Sequence, residues 1–77
     1  MGTMSFVKVE RSKRNLSQVD LARRSGITQH KIFRSERQSN ILNYFSYEEI
    51  EKLANGLDMT VDELVKLYRE EYANNGA

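Results

Sequence analysis

Gln29, His30, Lys31, Phe33 and Arg34 crowd into six consecutive positions, and apart from the phenylalanine their side chains are hydrogen-bonding ones suited to reading a polar edge. Glutamine can hold adenine through two hydrogen bonds, arginine can hold guanine the same way, and lysine or histidine reaches a base acceptor or a phosphate. Arg34 is the better guanine reader because its planar fork matches two acceptors at once. It lies five positions from Gln29, so the two would reach different base pairs of one groove. Upstream stand Ser17, Gln18 and Thr28, and downstream Arg37 and Asn40, donors of the kind that grip phosphate oxygens and carry no sequence information. Plainer roles compete with these. A lone histidine is often only a surface residue, and Lys13, Arg14, Arg23 and Arg24 suit solvent or phosphate better than base edges.

Bond-making chemistry has no comparable set. The chain of 77 residues holds one His and no Cys. It has no glycine-rich phosphate loop and no His/Glu metal spacing, and it is too small for a deep pocket. No enzyme activity, metal, cofactor or small-molecule ligand is therefore expected. No apolar run approaches the roughly 20 residues of a membrane span, and no secretory signal opens the chain. These features lead us to expect a cytoplasmic protein with no membrane partner. Net charge is only +1, but its distribution is uneven. Positions 1–37 carry nine Lys/Arg against three acids, a balance of +6, and positions 38–77 carry three against eight, a balance of −5. Such a split fits one face turned to a polyanion, and it also fits plain solvated surface.

These side chains need a scaffold, and the sequence reads as all-α. Proline is absent and glycine occurs four times, so helices can follow one another with few breaks. Five helices are expected in one domain over 1–77. Residues 1–4 read as a disordered or tag-derived start, and 73–77 as a frayed tail. Helix 1 covers about 5–13. Ser17 caps helix 2 (18–25), Gly26 ends it, and Thr28 caps helix 3 (29–37). The stretch 38–45 reads as a loop whose Ile41, Leu42, Tyr44 and Phe45 fold back onto the core. Ser46 with Glu49, and Thr60 with Glu63, have the spacing of capping boxes and open helices 4 and 5. Gly56-Leu57-Asp58 is the expected break between them, and the last helix frays beyond Arg69. Leu21, Ala22, Ile27 and Ile32 face inward and leave Gln29, His30, Lys31, Phe33 and Arg34 outside. Two helices crossing steeply at Gly26 would push the second one outward, where it fits a major groove about 12 Å wide.

Leu16-Ser17-Gln18, Leu21-Ala22, Gly26-Ile27-Thr28-Gln29, Ile32 and Glu36 together resemble the lambda-type helix-turn-helix family, that of the Cro and cI phage repressors. Leu53-Ala54-x-x-Leu57 and Met59-Thr60-Val61-Asp62-Glu63-Leu64 look like that family's later helices, so the resemblance spans about 6–68. It implies a compact five-helix lambda repressor-like domain, with the motif at helices 2 and 3. Gln18 would lie on backbone phosphate, Gln29, His30 and Arg34 toward bases, and Arg11 and Glu36 in a partly buried ion pair. The function it implies is a phage- or plasmid-type repressor that binds a pseudo-palindromic double-stranded DNA operator. Three departures stand out. Ser35 replaces a usual large apolar residue. Phe33 replaces a small or polar one, and would either contact a thymine methyl or fill the space beside Ser35. The connection from Glu36 to Leu53 is about three residues longer than usual.

A homodimer is expected, with Tyr44, Phe45, Leu67, Tyr68 and Tyr72 at its interface, since these lie in the acidic half. The rival reading is a protein-interaction module on the same fold, such as an antitoxin or adaptor. The tyrosine-bearing last helix favours that alternative and the basic first half opposes it.

Overall fold

A capping side chain starts every α-helix. In this computed structural model, which describes residues 5–38 and 40–73, Ser5 caps α1 (Phe6–Lys13), Ser17 caps α2 (Gln18–Ser25) and Thr28 caps α3 (Gln29–Ser35). Asn40, Ser46 and Thr60 then cap α4 (Ile41–Tyr44), α5 (Tyr47–Gly56) and α6 (Val61–Tyr68). Each cap accepts a first-turn amide proton that the helix itself cannot satisfy, worth about 1 kcal/mol. Ser17 with Asp20, Ser46 with Glu49 and Thr60 with Glu63 do so reciprocally. No strand occurs among the described residues.

Three expectations about the elements need correction. The stretch expected to be a loop contains α4, which makes six α-helices among the described residues where five were expected. Past Tyr68 the chain does not fray at once but winds into a π-helical turn, Arg69–Ala73. The tag-like start at 1–4, and all but the first residue of the tail at 73–77, lie outside the described residues. Finally, the chain does break at Gly56-Leu57-Asp58, but Gly56 itself belongs to α5 as its last residue. It ends α5 buried, where an added Cβ would stand 2.8 Å from the Ser25 Cβ and 3.1 Å from the Leu21 Cδ1, so its bare backbone lets α2 and α5 cross closely. The left-handed residue of that turn is Asp58 (φ 65°), as Asn15 (φ 57°) is after α1 and Gly26 (φ 81°) after α2.

The core draws on every α-helix: Phe6 and Val7 from α1, Leu21 from α2, Ile32 from α3, Ile41 from α4, Ile50, Leu53 and Ala54 from α5, and Leu64 and Tyr68 from α6. Ile27, Phe45 and Leu57 close it from the turns. Phe45 thus folds onto the core as expected, and with Tyr68 it is a core residue of the chain rather than free for the dimer interface where both were also expected, each 4% exposed. The short α4 delivers Phe45 inward, and the Tyr68 ring packs edge-on to Phe6 at 5.7 Å. Ser35 is fully buried, and its hydroxyl donates to the Ile32 carbonyl at 2.6 Å. The helix therefore tolerates a polar atom there without leaving it unpaired. Phe33 does not fill the space beside it.

Candidate nucleic-acid interface

Ile27 is buried immediately before the Thr28 cap, so α3 leaves the turn already anchored. Ile32 and Ser35 face the core. The helical period then turns Gln29, His30, Phe33 and Arg34 to solvent, followed by Arg37 and Gln38. His30, Phe33, Arg34, Arg37 and Gln38 line a shallow concavity of about 430 Å³. Phe33 is 45% exposed, and the Arg37 guanidinium carbon stands 5.9 Å from its ring centroid. The side chains of Gln29, His30 and Arg34 make no hydrogen bond or ion pair among the described residues, so their donors and acceptors face outward uncommitted.

Lys31 does not join them. Its Nζ lies 2.7 Å from Glu49 Oε2, and 5.5 and 5.9 Å from the Tyr44 and Phe45 ring centroids. One position before Ile32, it lies along the flank of α3 that meets α4 and α5 rather than on the outer face. The Lys31 ammonium, followed by the Ser46 amide, holds the Glu49 carboxyl below its usual range.

The side chains expected to grip a backbone are partly engaged within the chain. Ser17 Oγ accepts from the Asp20 amide, Thr28 Oγ1 accepts from the Lys31 amide, and each hydroxyl keeps its own proton to donate. Asp20, whose carboxyl is held low chiefly by the Ser17 amide, adds a negative charge at the start of α2. Gln18 Nε2 donates to Glu36 Oε1 at 3.1 Å. Asn40 Oδ1 accepts from the Leu42 amide and the Tyr68 hydroxyl. Arg37 is exposed, and among the described residues only the Phe33 ring engages its side chain.

Behind this face, Arg11 Nε donates to Glu36 Oε2 at 2.7 Å, Nη2 donates to Oε1 at 3.3 Å, and Nη1 donates to the Leu16 carbonyl at 2.8 Å. The two side chains are only 15% and 8% exposed. With Gln18 added, the cluster ties α1, the turn after it, α2 and the end of α3 together. It fixes the angle at which α3 is presented.

Sequence reasoning missed Glu10. It is 2% exposed and accepts from Arg14, Lys13 and the Tyr72 hydroxyl. Burial pushes its carboxyl up, but hydrogen bonds from Arg14, Lys13 and Tyr72 outweigh that and hold it below the usual range. Burial, and then the Glu10 carboxylate beside it, raise the Tyr72 phenol in turn. The signal was present in α1, where Lys13 and Arg14 stand three and four positions after Glu10. Arg14 Nε also donates to the Leu57 carbonyl at 2.8 Å, and Arg24 Nε to the Gly56 carbonyl at 3.0 Å.

No helix among the described residues is long and apolar enough to cross a membrane, and none of their His, Asp and Glu side chains group to hold a metal ion. A family model described as the Cro/C1-type HTH DNA-binding domain matches residues 7–70. No curated protein and no solved structure matches the chain.

Proposed function

The chain belongs to the Cro/C1-type helix-turn-helix DNA-binding family, and from that premise we propose that it is a sequence-specific transcription repressor of the phage or plasmid type, acting as a homodimer on a pseudo-palindromic operator. The observation that carries this reading is the uncommitted outer row of α3. Gln29, His30 and Arg34 stand exposed on a helix anchored from behind by Ile32 and by the Arg11–Glu36–Gln18 cluster. Held this way, α3 enters the major groove with Gln29 and Arg34 on base edges. Ser17, Thr28 and Arg37 donate to phosphates, as do the amide hydrogens that Gln18 and Asn40 retain. Lys31 supports the recognition helix from the side.

A single short helix reads few base pairs, so two copies are needed for useful affinity, with half-sites about 34 Å apart. The half-buried Tyr44, Leu67 and Tyr72, and the Tyr47 ring at 70% exposure, supply apolar surface for that contact.

Selection from a random duplex library with the purified protein tests the proposal. A pseudo-palindromic site occupied by two protomers is expected. Enrichment of a site that saturates with one protomer overturns the dimer. Absence of any enriched duplex overturns the regulator reading and favours the interaction module.

A further inference from the structure

We infer that Phe33, held by Arg37, reads the 5-methyl group of a pyrimidine in the major groove. At that position thymine, or 5-methylcytosine against cytosine, binds better than its unmethylated counterpart. The inference rests on the reading that α3 enters duplex DNA.

Isolated apolar side chains on a protein surface need no explanation. Phe33 differs in its setting. It is surrounded by His30, Arg34, Arg37 and Gln38 in one concavity, and among the described residues it is the only wholly apolar side chain lining it. A phenyl ring offers no hydrogen-bond donor or acceptor, so it cannot read the polar atoms of a base edge. The apolar feature that a base edge presents in the major groove is the pyrimidine C5-methyl.

Position and orientation agree with this. Phe33 follows Gln29 by four residues and so lies on the same face of α3. It sits roughly 6 Å further along the helix, on the order of two base-pair steps, and beside Arg34. The Arg37 guanidinium at 5.9 Å restrains the ring through its face. The methyl-bearing pair is therefore expected next to the pair that Arg34 reads. Packing one methyl on the ring should improve affinity about fourfold.

The test takes the duplex obtained by selection and replaces each thymine with uracil, one at a time, which removes only the methyl group. Binding is followed by fluorescence anisotropy. About fourfold weaker binding is expected at one position per half-site. At that position 5-methylcytosine should bind about fourfold better than cytosine. Phe33→Ala should bind the thymine and uracil duplexes alike, and Phe33→Leu should retain part of the difference. Because Phe33 is exposed, neither variant threatens the fold, and circular dichroism verifies this. Selective binding that no uracil weakens overturns the inference alone, as does methyl sensitivity that persists in Phe33→Ala. So does a Phe33→Ala protein that turns monomeric while methyl sensitivity stays intact. Failure to enrich any duplex overturns the proposed function and this inference with it.

Discussion

Arg11 donates to both oxygens of Glu36 and to a backbone carbonyl, whereas Arg34, on the outer face of α3, donates to nothing among the described residues. The same guanidinium therefore has opposite consequences when removed. Arg34→Ala is expected to leave stability within about 0.5 kcal/mol, as surface substitutions do. On the preferred duplex it should cost about 1–3 kcal/mol and relax the preference at one base pair per half-site. Titrations against single-base changes check this, and a uniform loss would reassign Arg34 to phosphate. Arg11→Met should instead leave the sheltered, part-buried Glu36 carboxylate without its main partner, at a cost of about 3 kcal/mol. Denaturation of Arg11→Met, Glu36→Gln and the double variant should reveal a coupling energy well above additivity, and additive losses would deny the pair. The family resemblance made this pair legible, and the helical period of α3 made the exposed row legible. Lys31 was not legible. Its orientation depends on a carboxylate 18 residues away on α5, and no local pattern encodes that.

Helix starts were readable because caps are local chemistry, as Ser17, Thr28, Ser46 and Thr60 illustrate. Two elements escaped for different reasons. The four residues of α4 are too few to display a 3.6-residue period, so only the Asn40 cap could have revealed it. Gly56 looks like a helix terminator because glycine usually supplies the left-handed residue after a helix. Here Asp58 takes that conformation, and Gly56 is required by the close passage of α2, which the sequence of α5 alone cannot announce. Gly56→Ala is therefore expected to destabilise, even though alanine is the better helix former. A Cβ 2.8 Å from the Ser25 Cβ forces the two backbones apart, and overpacking of this kind costs about 1–3 kcal/mol. A urea midpoint equal to or above that of the parent protein would show that α2 yields without cost.

Taken across the whole domain, the nine Lys/Arg of positions 1–37 overstate what DNA can meet. Arg11, Lys13, Arg14 and Lys31 sit in ion pairs, leaving Lys8, Arg23, Arg24, Arg34 and Arg37. Counterion release at about 0.9 per neutralised phosphate then limits the slope of log K against log salt to about −5 per protomer. Nine available charges would give about −8 by the same rule. Titrations at several salt concentrations distinguish the two. Acid should unfold the domain through its paired carboxylates. Glu10, Asp20 and Glu49 all have folded pKa values below their ordinary ones. Their contribution is complete above the unfolded carboxylate range of about 4 and is lost as pH falls through the folded values. Stability should thus be flat from neutral pH to about 5 and fall below about 4. Glu10→Gln should lower the plateau and shallow the fall. An unchanged acid limb in urea titrations of that variant would assign the loss to other groups.

The C-terminal end of α5 has no basic residue in its last turn, and two carbonyls at that end, those of Leu57 and Gly56, are closed from elsewhere, by Arg14 across 43 residues and Arg24 across 32. A helix closed from so far away is expected to complete its end late in folding. Its first turns can form around the Ser46–Glu49 box alone, whereas its last turn gains these donors only once α1 and α2 have docked. When α1 lifts away, the Leu57 carbonyl loses its donor at the same moment. Opening at one end of the chain is thereby coupled to opening near its middle, and the domain is expected to unfold as one cooperative unit.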